Sequence, residues 1–426
     1  MAKHAINPDH ATLVAIDQHA RPCSLSALDL STGETRRARL SDCPSAAETA
    51  GWAAGWATPP YLFAYESGPC GFSLQRDLSA LGRDCEVMAV TSVARDGKDK
   101  LLKDDRRDAD RLLAEMANPA SKARAVWVPD DATEALRDLT RAYYDAAAAS
   151  KRPRLQTSAF LLRRGHVWNE RTKSGALKKT WTADHRKWLH SVSFDDPRAQ
   201  ATFRHCVKTA EEDIGRTKRL ARRCREAAEL PAAEPYVDAL SRLKGSAALV
   251  SLAFVASTGD FARFGNGRSV SSYFGLTPTK HDGGPKRGND GRITKAGDTS
   301  ARRAVIGAIA GIARYDAGPK AGPKEGHEVS SAVEAEALKC NVRLVERHGR
   351  LVGDGKPPVV ARTAIASEMV RDMWAIGLTV RRELGEGTQP SASTDKTPEP
   401  SPLVRERRGA RVDAMHTSPP CWRVRC

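Results

Sequence analysis

The stretch KDDRRDADRL, residues 103–112, carries Asp104, Asp105, Asp108 and Asp110. Carboxylates at that density can serve a divalent-cation site, because hard cations such as Mg²⁺ take oxygen ligands. Two further acids stand where strand-like runs end: Asp17 closes ATLVAID, and Glu66 closes the run in PYLFAYESG. Two strand ends and one helix start can bring four carboxylates to one sheet edge. Two cations there would clamp the attacking and leaving oxygens of a phosphoryl transfer. The competing reading is a solvated helix face, with the aspartates paired to Arg106, Arg107 and Arg111. Asp105 and Asp108 share a helix face at i, i+3, but Asp104 and Asp108 are one turn apart as well. Spacing alone leaves the metal-binding pair open.

The chain around this acidic knot is basic. Its 426 residues hold 68 Lys+Arg against 52 Asp+Glu, a formal net charge of +16. Such a surplus suits a polyanion, since each phosphate contacted by Lys or Arg releases condensed counterions. Apolar content of 40% is ample for two or three domains with real cores. The nine cysteines form no CxxC and no zinc spacing with a histidine pair, so they read as reduced thiols of a cytosolic protein. The 11 histidines form no metal-ligand pattern. No signal peptide and no membrane-length apolar run is evident, which predicts a soluble protein of the cytoplasm.

The elements that must position the acids can be read in order. Residues 11–120 predict three strands, helix, strand, helix, strand, helix, an α/β layer that opens with a hairpin. Its last helix begins near Asp105, with acids in the first turn where the macrodipole favours them. Residues 131–230 predict two long antiparallel or coiled helices joined by a Trp- and Lys-containing link. Trp127, Trp168, Trp181 and Trp188 are the size of base-stacking residues, but packing is the stronger expectation. The segment LSRLKGSAALVSLAFVASTGDFARF predicts a helical pair with glycine punctuation, and two further helices follow at about 330–350 and 357–376. From about residue 384, Pro, Ser, Thr and charge without periodicity predict disorder.

Between residues 280 and 303 the cations concentrate. Lys280, Lys286, Arg287, Arg292, Lys295, Arg302 and Arg303 face only Asp282, Asp290 and Asp298. Glycines among them let the backbone approach a phosphate chain, and a helix opening near Thr299–Ser300 would offer amides to an anion. A solvated basic loop is the bland alternative. His281, in the same loop, is a candidate for acid–base work, although an incidental histidine is the simpler reading. The turn in LKGSAALVSLAF is similar to a helix-hairpin-helix, which grips DNA backbone, but the second glycine is Ala247 and a simple helical hairpin fits nearly as well.

Several motifs in sequence carry a resemblance: VAIDQHA, YESGPCGFSLQRDLSALG, KDDRRDADRLL, SSYFGLTPTKH, GRITKAGDTSARR and VVARTAIASEMVRDMWAIG. Across residues 11–380 the chain resembles the DEDD transposases of bacterial insertion sequences, the insertion sequence 110 family, which includes the Piv-type DNA invertases. KDDRRDA is similar to the family's Lys-x-Asp-x-x-Asp-Ala segment, which selects Asp105 and Asp108. The resemblance implies a ribonuclease-H-like (RuvC-like) domain over residues 1–125 and a helical or coiled-coil linker over 126–232. A mainly helical C-terminal transposase domain would follow over 233–380, and 381–426 would be a tail. It implies that Asp17, Glu66, Asp105 and Asp108 hold Mg²⁺ (or Mn²⁺) and that a C-terminal serine attacks DNA covalently. It also implies a structured non-coding RNA of the element as partner beside DNA. Strand exchange needs several active sites at once, which predicts a homo-oligomer, dimer or tetramer, joined through the 131–230 helices and associated with the nucleoid. Aligned on Gly275, Leu276, Pro278 and Gly284, the serine position holds Gly283. Thr277, Thr279, Thr299 and Ser300 are the nearby hydroxyls. The alternative function is therefore a catalytically inactive nucleic-acid-binding remnant.

Overall fold

The computed structural model describes residues 10–90, 92, 105–280, 290–314, 320, 322–323 and 325–386, without the side chains of residues 105, 106, 280, 290 and 313. The first elements are β1 (Thr12–Gln18), β2 (Cys23–Asp29), β3 (Thr35–Leu40), α1 (Ala46–Ala54), β4 (Tyr61–Glu66), α2 (Ser73–Ala80), β5 (Asp84–Met88) and α3 (Asp105–Ala117). This is the order expected from the sequence.

The five strands form one mixed sheet in the order β3-β2-β1-β4-β5. β1, β2 and β3 are antiparallel neighbours, whereas β4 lies parallel to both β1 and β5. A sheet covered on both faces needs apolar residues at successive positions of its central strands. β1 and β4 meet that need with TLVAI and YLFAY, all ten buried. Alternation then divides them between the faces. Leu13 and Ala15 of β1 join Leu62 and Ala64 of β4 against Leu112, Leu113 and Met116 of α3. Val14, Ile16, Phe63 and Tyr65 pack on the other face with Ala46, Ala50, Ala53, Leu74 and Leu78 of α1 and α2. The same alternation places Asp17 and Glu66 on the α3 side.

The rest of the described chain is mainly helical: α4 (Asp131–Ala149), α5 (Lys151–Leu162), α6 (Ala183–Ser191), α7 (Pro197–Ala228), α8 (Glu234–Ser241), α9 (Ala248–Thr258), α10 (Gly267–Tyr273), α11 (Thr299–Ile309), α12 (Ser331–Gly353) and α13 (Pro358–Glu383). A hairpin of β6 (Pro278–Lys280) and β7 (Asp290–Ile293) precedes α11. The first of the two long helices expected over 131–230 is split at Ser150 into α4 and α5. Pro153 explains the break, since it has no N–H to give the Ala149 carbonyl. α4 is also built into the C-terminal core. Leu136, Leu139 and Tyr143 pack against a cluster that includes Leu240, Leu252, Phe254, Phe274, Met369 and Met373. Of the tail expected to be disordered over 381–426, residues 381–383 instead complete α13 and 384–386 form the turn after it; the remainder, from residue 387, lies outside the described residues. Among the described residues, no helix is long and apolar enough to cross a membrane.

The tryptophans are packing residues, as the sequence favoured. Trp168, Trp181 and Trp188 ring His185, with centroids 5.1, 5.7 and 5.4 Å from the imidazole. Burial there lowers the His185 pKa. Trp127 lies beneath the guanidinium groups of Arg137 and Arg263. Its ring closes on Gly259, where φ is +61° and an added Cβ would sit 2.3 Å from Trp127 Cη2. Gly259→Ala therefore combines a left-handed backbone with a ring clash. It is expected to cost about 3 kcal/mol of stability, read as a lower midpoint in urea unfolding.

Candidate functional site

The sheet brings two of the expected acids to adjacent positions. β1 and β4 run parallel with Ile16 opposite Tyr65, so Asp17 and Glu66 are the next residues of neighbouring strands. α3 crosses this face on Leu112, and Asp108 lies one turn earlier on the same side. Arg111 ties the two elements together. Its Nη2 donates to Glu66 Oε1 at 2.9 Å and its Nη1 to Asp108 Oδ1 at 2.8 Å. Glu66 and Asp108 thus face one cation from two elements. Asp17 Oδ2 lies 2.9 Å from Nε2 of His19, which fixes the orientation of that carboxylate.

Asp110 points elsewhere. Its Oδ1 accepts from Ser26 Oγ at 2.8 Å and from Arg37 Nε at 2.7 Å, so it fastens α3 to β2 and β3. Asp105 opens α3, but its side chain, like the whole of Asp104, lies outside the described residues. The ligand oxygens of Asp17, Glu66 and Asp108 do not form a cluster within 4.8 Å; the described residues that do are Glu234, Asp238 and His327. This acidic triad with a histidine could hold a divalent metal ion. The expectation that no histidine joins a ligand pattern is corrected here. Glu234 and Asp238 share a face of α8 at i, i+4, which the sequence shows. His327 arrives from a distant turn, which it does not.

The basic segment is partly a frame. Lys286, Arg287, Gly283 and His281 lie outside the described residues, as does the side chain of Lys280. Arg292, Lys295 and Arg303 are exposed. Arg302 departs from the expectation of a phosphate ligand. It is 7% exposed and donates from Nη1 to the carbonyls of Ala296 (2.7 Å) and Phe274 (3.2 Å). Burial lowers its pKa, and the two carbonyls take the place water would occupy. It braces the loop instead of meeting solvent. The amides at the start of α11 are taken as well. Asp298 Oδ1 accepts from Ser300 N at 2.8 Å and Ala301 N at 2.9 Å, while Oδ2 pairs with Arg141. That helix start is capped and does not offer these amides to an anion.

Two glycines make the frame possible. A Cβ at Gly297 (φ +70°) would lie 1.9 Å from the Tyr273 carbonyl oxygen, and one at Gly275 (φ +64°) 2.3 Å from that of Ala296. Backbone crosses backbone at both points. Of the nearby hydroxyls, Thr279 donates to the Arg292 carbonyl at 3.0 Å, Thr299 accepts from Arg302 at 3.2 Å, and Ser300 is 9% exposed. Thr277 is half-buried.

The turn between α8 and α9 packs against α11 and α12. The Lys244 amide donates to Asn341 Oδ1 at 2.8 Å, and a Cβ on Gly245 would strike the Ala308 carbonyl at 2.6 Å. Here the glycine allows α11 to approach. Beside it lies a cavity of about 570 Å³, walled by Tyr144, Gly245, Gly307 and Gly311 and carrying Arg303 and Arg314.

The described chain thus combines an acid-edged mixed sheet with a mainly helical body. Comparison with known proteins supplies the family. Residues 237–321 match the family described as "Transposase IS116/IS110/IS902 family". The chain is 33% identical over 323 residues to "Putative transposase y4qE" of Sinorhizobium fredii, covering 75% of this chain and 76% of that one. It is 30% identical over 215 residues to "Transposase for insertion sequence element IS1533" of Leptospira borgpetersenii, covering 49% of this chain and 58% of that one. The chain belongs to the IS116/IS110/IS902 family of transposases.

Proposed function

We propose that this protein is the transposase of an insertion sequence, cutting and joining DNA strands at the ends of its own element. The observation that carries the reading is the meeting of Glu66 and Asp108 on Arg111, beside the strand end that holds Asp17. Carboxylates gathered on one guanidinium from two elements lie where a divalent cation can bind beside it. Asp17, Glu66, Asp105 and Asp108 would hold Mg²⁺ (or Mn²⁺), and their all-oxygen donor set fits those hard cations. Once bound, the cation would supply Lewis-acid polarisation of the scissile phosphate.

The protein's own residues do the remaining work. The sheet edge fixes Asp17 and Glu66 side by side. α3 presents Asp108 from above, and Arg111 holds the acids together. His19 orients Asp17. The exposed cations Arg292, Lys295 and Arg303, with Lys280, Lys286 and Arg287, hold phosphates of the nucleic acid. Strand order and mixed direction support a ribonuclease-H-like (RuvC-like) sheet. A structured RNA from the element belongs to the same reading through the family resemblance, and a dimeric or tetrameric assembly because strand exchange needs several active sites at once.

The second reading, a nucleic-acid-binding remnant without strand-exchange activity, is favoured by one observation: Gly283 stands at the serine position and has no hydroxyl. A covalent-adduct assay separates the two. The chain is incubated with element-end DNA and Mg²⁺, denatured, and examined for protein-linked DNA. Under the remnant reading the native chain gives no adduct and Gly283→Ser gives one. An adduct of the native chain that maps to Thr277, Thr279, Thr299 or Ser300 would establish the active transposase and name its nucleophile.

A further inference from the structure

The acidic edge of the sheet leaves one ligand cluster unused. On α8, Glu234 and Asp238 stand one turn apart, and His327 comes down beside them from the approach to α12. The three offer ligand atoms that all lie within 4.8 Å of one another. Nδ1 of His327 is 3.1 and 3.0 Å from the two Asp238 oxygens. Donors held by one cation at bond lengths of about 2.0–2.1 Å are themselves about 3 Å apart. The His327–Asp238 pair already has that spacing, and a Glu234 oxygen lies within 4.8 Å of both.

We propose that Glu234, Asp238 and His327 form a Zn²⁺ site that fastens the entry of α12 to α8. The donor set selects the ion. Two carboxylates alone would suit Mg²⁺ or Ca²⁺, whereas an imidazole in the set turns preference toward borderline cations such as Zn²⁺. Three protein ligands leave a fourth position to solvent.

The surroundings suit a clamp. The same approach segment is tied to the other end of α8 by Lys320, whose ammonium donates to the carbonyls of Ser241, Leu243 and Ser246. Arg242 adds a bond to the Lys320 carbonyl and a salt bridge to Glu334 in the first turn of α12. A cation at His327 would secure the opposite end of this connection. The family match covers residues 237–321, so the clamp would fix the point where that region passes into α12.

The test is a calorimetric Zn²⁺ titration of the full chain in excess Mg²⁺, which fills the all-oxygen site. The expected result is one Zn²⁺ equivalent bound, with a rise in melting temperature. Glu234→Gln should weaken binding about tenfold or more while changing the metal-free melting temperature only slightly, because Glu234 acts on His327 through charge alone whereas Asp238 is hydrogen-bonded to it. His327→Ala should abolish binding. If His327→Ala fails to fold, Glu234→Gln still decides the question. Absence of saturable Zn²⁺ binding, or affinity unmoved by either substitution, would overturn the site. It would leave His327 and Asp238 as an ion pair only.

Discussion

Glu66→Gln is expected to lower DNA strand cleavage or transfer by about a thousandfold or more, and Asp108→Asn to do the same. Each removes an oxygen donor that faces the shared cation position from a different element, and metal-stabilised phosphoryl transfer depends on those charges. The isosteric amides keep the hydrogen-bonding shape, so the fold should survive. Both variants should also bind Mg²⁺ more weakly in a direct titration. Asp110→Asn is the control. Its oxygen serves Ser26 and Arg37, so it should lower stability modestly and leave Mg²⁺ affinity alone. If Asp110→Asn abolished metal binding and Asp108→Asn did not, the acid set would be wrong.

The second large effect concerns the phosphate surface. Replacing Lys286, Arg287, Arg292 and Lys295 together by Ala is expected to flatten the log–log dependence of DNA affinity on salt by about three to four units. Each lost phosphate contact accounts for about 0.9 of the slope. At moderate salt that is a loss of several hundredfold or more in affinity, measured by fluorescence anisotropy across a salt series. Arg302→Ala should behave differently. Its guanidinium braces Phe274 and Ala296 from inside, so the variant should lose stability and show little change in slope per folded molecule. An unchanged slope in the fourfold variant would place the nucleic-acid surface elsewhere, with the arginine-walled cavity of Arg303 and Arg314 the first place to look.

The amino-acid sequence by itself determined the sheet and the acids on it. Five strand-like runs, those of β1 and β4 apolar throughout, with turn residues between them can pair in few ways, and alternation along β1 and β4 sets which face Asp17 and Glu66 share. The family-like spacing selects Asp108 over Asp110, and in the structure Asp110 bonds Ser26 of β2 and Arg37 of β3. Local rules were also enough for the tryptophans, whose size makes burial the dominant gain.

The misread features had partners far along the chain. Arg302 has the sequence of a phosphate ligand, but the crossing of backbones at Gly275 and Gly297 created carbonyls that needed a buried donor. Asp298 looked like one acid against many cations, and only the helix geometry turned it into a cap. The need for glycine at position 245 likewise comes from a distant partner, the Ala308 carbonyl of α11, which a Cβ would meet at 2.6 Å. His327 has only Glu325 and Glu328 beside it in sequence, and the folding of the approach to α12 onto α8 brings it instead to Glu234 and Asp238. A side chain's neighbours along the chain limit its conformation, but its hydrogen-bond and ligand partners are chosen by packing between elements, and that information exists only once the elements have met.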